Sequence, residues 1–216
     1  MRYTHLLFDL DGTLIDSKRG IFNAVRYTLD KLEIPVSSRP SDFNPFIGPP
    51  LRDSFREVFN FSPDKAELAT HIYREYYGEQ GLFEFDIYEG ILETIPRLKE
   101  AGFELCLVTS KAQTYARRII ESTPIYRHFT SITGCEIDGT RSLKNELITY
   151  ALQNINIPAS KRIIMIGDRY HDIRGAKLVN ISSAAVLYGY GSEQELKEES
   201  PDIFIKHPYD LIDIGK

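Results

Sequence analysis

Asp9 and Asp11 stand two residues apart at the end of the apolar run Leu6-Leu7-Phe8, and Gly12-Thr13 follows them directly. Read as a strand, the run is buried and alternate side chains share a face, so Asp9 and Asp11 converge while Leu10 turns into the core. Carboxylates that close need a cation or a shared proton. A hard divalent ion with oxygen ligands, magnesium above all, relieves the repulsion and also holds a phosphate. Asp-Gly is equally turn chemistry, and Asp11 equally a helix cap.

A second acidic pair follows another apolar run. Arg162-Ile163-Ile164-Met165-Ile166 ends in Gly167-Asp168, with Asp172 four residues on. A helix starting near Tyr170 puts Asp172 in its first turn, beside Asp168, a spacing that suits a pair of metal or water ligands. Helix capping and complementation of the macrodipole account for the same two residues. A third run, Glu104 to Val108, ends in Thr109-Ser110-Lys111 ahead of a helical segment beginning at Ala112. Hydroxyls and N–H groups at a helix start form an anion site, although Thr109 and Ser110 also read as plain N-caps. In a doubly wound sheet, ligands gather outside the carboxyl ends of the strands. Three such ends carrying Asp/Asp, Thr/Ser and Asp/Asp together point to one phosphate site.

The elements that must position these residues alternate. After the first strand, the order from Glu89 is helix (Ile91 to Ala101), strand (104–109), helix (112–122), strand (131–135), helix (143–154), strand (162–167), helix (171–179) and strand (183–187). A short helix near Glu193 to Glu198 and a terminal piece from Ile203 to Ile214 complete it. This predicts a parallel α/β sheet with right-handed crossovers. Between Asp16 and Tyr88 strand signals vanish. Ile21, Val25, Leu29 and Leu32 form one helical stripe, Ser62-Pro63 opens another helix, and Leu68, Ile72 and Tyr76 continue its period. We therefore expect an α/β core of residues 1–15 and 89–216 and an inserted helical domain of residues 16–88. The abundant Phe and Tyr of that insertion read as a small aromatic core. The Glu-rich stretch Glu193 to Glu199 reads as a solvated helix face.

Composition narrows the function. The 216 residues carry a net charge of −5 with no basic cluster, so no nucleic-acid partner is expected. No apolar run nears the ~20 residues needed to cross a bilayer. No membrane association is expected either, and Met1 leads straight into a strand, which predicts a cytoplasmic protein. Cys106 and Cys135 lack metal-site spacing and read as small core residues. Gly189-Tyr190-Gly191 is no nucleotide fingerprint, because Gln194 stands where a third glycine belongs.

With DLDGT after an apolar strand and GDRYHD after a later one, nearly the whole chain resembles the haloacid dehalogenase-like superfamily, in its phosphoglycolate phosphatase-like branch with a helical cap. The resemblance implies a Rossmann-like core and a magnesium-dependent phosphatase acting on a small phosphorylated substrate, as monomer or homodimer. It makes Asp9 the nucleophile that forms an aspartyl-phosphate, and Asp11 the general acid and base, held by Thr13. The magnesium ligands become Asp9, the Asp11 carbonyl and Asp168, supported by Asp172. The phosphate falls to Thr109 and the Ser110 N–H. The required lysine maps to Lys144, although no proline follows it as in the widespread pattern, and Lys111 is the substitute. Cap specificity falls to the turn holding Gly48 and Pro49 and to Arg52, whose planar fork suits a second anionic group, although Arg52 also reads as a plain surface residue of a helix. A 5'-nucleotidase and a β-phosphoglucomutase-like mutase share this frame. A dehalogenase, which needs no metal cage, and a non-catalytic phosphate-responsive binding protein fit the retained polar residues less well.

Overall fold

The structure, a computed structural model, describes residues 2–215. In chain order its elements are β1 (His5–Phe8), β2 (Ile15–Asp16), α1 (Lys18–Lys31), α2 (Leu51–Phe59), α3 (Pro63–Glu79), β3 (Asp86–Ile87), α4 (Ile91–Glu100), β4 (Glu104–Ala112), α5 (Gln113–Glu121), β5 (Phe129–Cys135), α6 (Lys144–Asn154), β6 (Ile163–Gly167), α7 (Tyr170–Leu178), β7 (Ser182–Val186), α8 (Glu193–Glu198) and β8 (Ile203–Ile205). The chain divides into two compact units, residues 1–16 with 87–216 and residues 17–86.

In the first unit, six strands pair in the order β5-β4-β1-β6-β7-β8, and every pairing is parallel. Strands covered on both faces must be apolar throughout, which is why β6 and β7 are buried at every position. Leu7, Val108 and Met165 pack with Leu147, Ile148 and Ala151 of α6 and Ala176 of α7. The buried hydroxyls of β7 are satisfied locally, since Ser182 Oγ donates to Lys161 O at 3.2 Å and Ser183 Oγ to Asp202 Oδ2 at 3.4 Å. The order is that of a doubly wound fold, and its switch point falls between β1 and β6. Asp9 directly follows the one strand and Asp168 the other.

Three local readings are corrected. β1 stops at Phe8, so Asp9 and Asp11 are not alternate residues of a strand. β4 does not end at Thr109 but runs to Ala112, where α5 begins without a side-chain cap, so Thr109 and Ser110 are not N-caps. Its pairing with β5 jumps from Val108–Thr133 to Ala112–Cys135, so Thr109, Ser110 and Lys111 bulge out opposite the single residue Gly134.

The second unit packs α1, α2 and α3 together. Ile21, Ala24, Val25, Thr28 and Leu29 of α1 are buried as the stripe predicts. Ser62 Oγ accepts from Lys65 N–H and caps α3. The stripe of α3 is shifted by one residue, however: Ala69, Tyr73 and Tyr77 are buried, while Leu68 is 51% exposed. At the centre, Phe55 is fully buried, 4.9 Å from Phe46 and stacked on Phe61 at 6.2 Å. Phe55→Ala is expected to cost about 3–5 kcal/mol in denaturant unfolding followed by circular dichroism, and Phe55→Leu, which leaves a smaller cavity, less.

Candidate active site

The carboxyl ends of β1, β4 and β6 bring the predicted polar residues of the first unit together. Asp9 N–H still donates to Ile166 O at 2.9 Å, so the residue just past β1 is held against β6. Its Oδ1 accepts from Leu10 N–H at 2.8 Å. Lys144, the first residue of α6, reaches in with its side chain 3% exposed. Nζ lies 3.1 Å from Asp9 Oδ1 and 2.7 Å from Asp172 Oδ1, and donates to Val108 O at 3.2 Å. Burial alone would lower the Lys144 pKa, but the Asp172 and Asp9 carboxylates raise it overall, so the lysine is charged. Asp172 works at both ends, because its Oδ2 accepts from Arg169 N–H at 3.1 Å and caps α7. Capping and site placement, alternatives in the sequence, are one arrangement here.

Asp168 is fully buried. Its Oδ2 accepts from Tyr190 N–H at 2.7 Å, whereas Oδ1 has no hydrogen-bond partner. Burial, then Asp172 and Asp9, push its pKa up to about 8. Asp9 is pushed up to about 6, chiefly by burial, against the pull of Lys144. Gly12 makes the approach possible: its φ is +78°, and a Cβ there would sit 2.1 Å from Asp168 Oδ2. Asp9, Asp168 and Asp172 each offer a carboxylate oxygen, all within 4.8 Å of one another. An all-oxygen set with one buried oxygen left unpaired fits a hard divalent cation.

Asp11 stands apart from that trio. Both its oxygens take Lys111 Nζ, at 3.0 and 2.8 Å. Each of the two candidate lysines therefore has its own partner: Lys144 serves Asp9 and Asp172, and Lys111 serves Asp11. Thr109 is buried, and its Oγ1 accepts from Lys111 N–H at 3.3 Å. Ser110 Oγ donates to Ser142 O at 3.3 Å, and Ser110 O accepts from Cys135 Sγ at 3.0 Å. These contacts shape the bulge that carries Lys111. α8 is not merely a solvated face either, since Glu195 accepts from Arg169 Nε at 2.9 Å and from Tyr170 N–H at 3.0 Å, fixing the start of α7.

Gly48, Pro49 and Arg52 belong to the second unit. Gly48 adopts φ +102° and, like Pro49, is exposed. The Arg52 fork is engaged by Glu67, with Nη2 donating to Oε1 at 2.9 Å. α3 supplies the partner carboxylate of this exposed ion pair, which a substrate anion can exchange for its own contact. Sequence reasoning gave no role to Tyr190 or Glu195, and no local pattern marks them.

The sequence signature of the haloacid dehalogenase-like hydrolases matches residues 6–186. The chain belongs to that family. Among its relatives, a protein of Pseudomonas aeruginosa named 5'-nucleotidase is 40% identical over 203 residues, 93% of this chain and 90% of that one. A protein of Mycobacterium tuberculosis named tyrosine-protein kinase PtkA is 34% identical, over 92% of this chain and 67% of its own. A solved haloacid dehalogenase-like hydrolase from Streptococcus pneumoniae superposes with a TM-score of 0.88 at 30% identity, covering 99% of both chains. Among the described residues, no helix is long and apolar enough to cross a membrane.

The electrostatics of this haloacid dehalogenase-like site have a measurable sign. A carboxyl whose pKa is raised by folding favours the native state when protonated, and that contribution is lost as pH rises through the folded value. In chelator, the melting temperature is expected to fall as pH rises from about 4 through about 8, the raised value of Asp168. Added magnesium should reverse the fall. Asp168→Asn should flatten the pH dependence and abolish the magnesium response in the same thermal melts; a full magnesium shift in that variant would remove Asp168 from the cation site.

Proposed function

We propose that the protein is a magnesium-dependent phosphomonoesterase acting on a small phosphorylated metabolite through an aspartyl-phosphate on Asp9. The observation that carries the reading is the trio of Asp9, Asp168 and Asp172 at the switch point, in which one buried lysine binds Asp9 and Asp172 while Asp168 keeps an unpaired buried oxygen.

Asp9 Oδ1 is held by Leu10 N–H and Lys144, which leaves Oδ2 to attack phosphorus. As the new P–O bond forms, the ester P–O bond breaks, and the departing oxygen takes a proton from Asp11. Asp11 then removes a proton from water, and the resulting hydroxide displaces Asp9 from phosphorus, releasing inorganic phosphate. Lys144 offsets charge on the nucleophile and on the transferring group, and the bulge presents the Thr109 hydroxyl and Ser110 N–H to the phosphoryl oxygens. A magnesium ion on Asp9, Asp168 and the Asp11 carbonyl, with Asp172 in support, would neutralise phosphoryl charge and orient the ester.

The unit of residues 17–86 is read as the cap that chooses the leaving group, through the turn at Gly48 and Pro49 and through Arg52. Its supports are that the chain leaves the first unit after Asp16 and re-enters it at Ile87, next to the site sequence, and that family members with such an insertion use it so. The name of the Pseudomonas relative makes nucleoside 5'-monophosphates the first substrate class to test. The protein is read as cytoplasmic, and as a monomer or homodimer.

Purified protein with magnesium is expected to release phosphate from a panel of nucleoside monophosphates, phosphoglycolate and sugar phosphates. Asp9→Ala should lower that release at least about a thousandfold with an unchanged circular dichroism spectrum. Chelation should stop turnover and added magnesium restore it. Release undiminished in Asp9→Ala would place the nucleophile elsewhere, and sugar-phosphate isomers formed without phosphate release would indicate a mutase.

A further inference from the structure

The loop Gly189-Tyr190-Gly191 follows β7 and lies against Asp168 closely enough to exclude side chains on both flanks. A Cβ at Gly189 would stand 2.3 Å from Asp168 Cβ and 2.3 Å from Gly12 O, and one at Gly191 would stand 1.9 Å from Asp168 O. Between them, Tyr190 makes two contacts of different kinds. Its N–H donates to Asp168 Oδ2 at 2.7 Å, and its phenol donates to Asp16 Oδ1 at 3.0 Å. Asp16 is the last residue of the first unit before the chain departs for residues 17–86. Tyr88, just after the return, is hydrogen-bonded to the Tyr190 phenol, and its ring meets that of Tyr188 edge-on at 5.2 Å. Tyr188 in turn donates to Thr13 O at 3.1 Å.

We propose that Tyr190 is a positioning residue for the acidic site: the phenol, anchored on Asp16, fixes the loop whose N–H fixes Asp168 Oδ2 and leaves Oδ1 turned toward the cation. The inference rests on the cation-site reading and goes beyond it, because Tyr190 contributes through Asp168. A carboxylate with one oxygen already tied rotates less, so less ordering remains to be done when an ion binds.

Magnesium binding to the full-length protein, followed by calorimetry and by magnesium-dependent thermal melts, tests this without turnover. Tyr190→Phe is expected to weaken binding about tenfold, within the range for residues that orient metal ligands. Its melting temperature in chelator should stay within a degree or two of wild type. Asp16→Ala should weaken binding by a similar factor, the double variant should be no weaker than either single one, and Asp16→Asn, which keeps an acceptor, should restore most of the affinity. Wild-type affinity in Tyr190→Phe, or additive losses in the double variant, would overturn the proposal while leaving the cation site intact. Failure of the wild-type protein to bind magnesium would sink the site reading itself, and this inference with it.

Discussion

A single ammonium group ties the centre of the sheet. Lys144 Nζ touches Asp9 at the end of β1, the Val108 carbonyl in β4 and Asp172 in the first turn of α7, so three segments far apart in the chain meet on one charge. Carboxylates in so dry a setting repel one another and resist burial, and the trio tolerates proximity only because the lysine is among them. Delivery of Lys144 depends on its position as the first residue of α6, a helix clamped by the core residues Leu147, Ile148 and Ala151. Packing thus sets where the charge goes, and the charge sets how close the acids come.

Around that charge, the backbone shapes what the ladder alone would not. The bulge in β4 lifts Thr109, Ser110 and Lys111 out of register, giving Asp11 its own lysine and keeping it out of the acidic trio. The glycine turn at Gly12 and the loop after β7 close on Asp168 from two directions. Asp172 and Glu195 fix the start of α7 with carboxylates that accept from the Arg169 and Tyr170 amides.

What the sequence disclosed follows from this division. Buried parallel strands must be continuous apolar runs, so Leu6-Leu7-Phe8, Glu104 to Val108 and Ile163 to Ile166 announced themselves, and the polar residues ending them marked where chemistry sits. The sheet and its winding were legible for the same reason. Pairing-dependent features were not: the extra residues in β4 are defined only against Gly134, and the bond from Tyr190 to Asp16 spans nearly the whole chain. The face of α3 was misread because small residues, Ala66 and Ala69, occupy the tight contact while the larger Leu68 is left in water. Side-chain hydrophobicity ranks leucine first, but close helix approach selects alanine. The Arg52 ion pair was not legible because its partner Glu67 lies on the next helix, outside any local pattern.

The tally of charges around Lys144 carries a consequence for the order of events. Three acids, Asp9, Asp168 and Asp172, share the single ammonium of Lys144, so carboxylates outnumber the cation among them. Under the proposed function, such a cluster attracts a divalent cation and repels a phosphate ester that arrives without one. On the proposed reading, the ion would bind before the ester, and a lone anion would gain little purchase there.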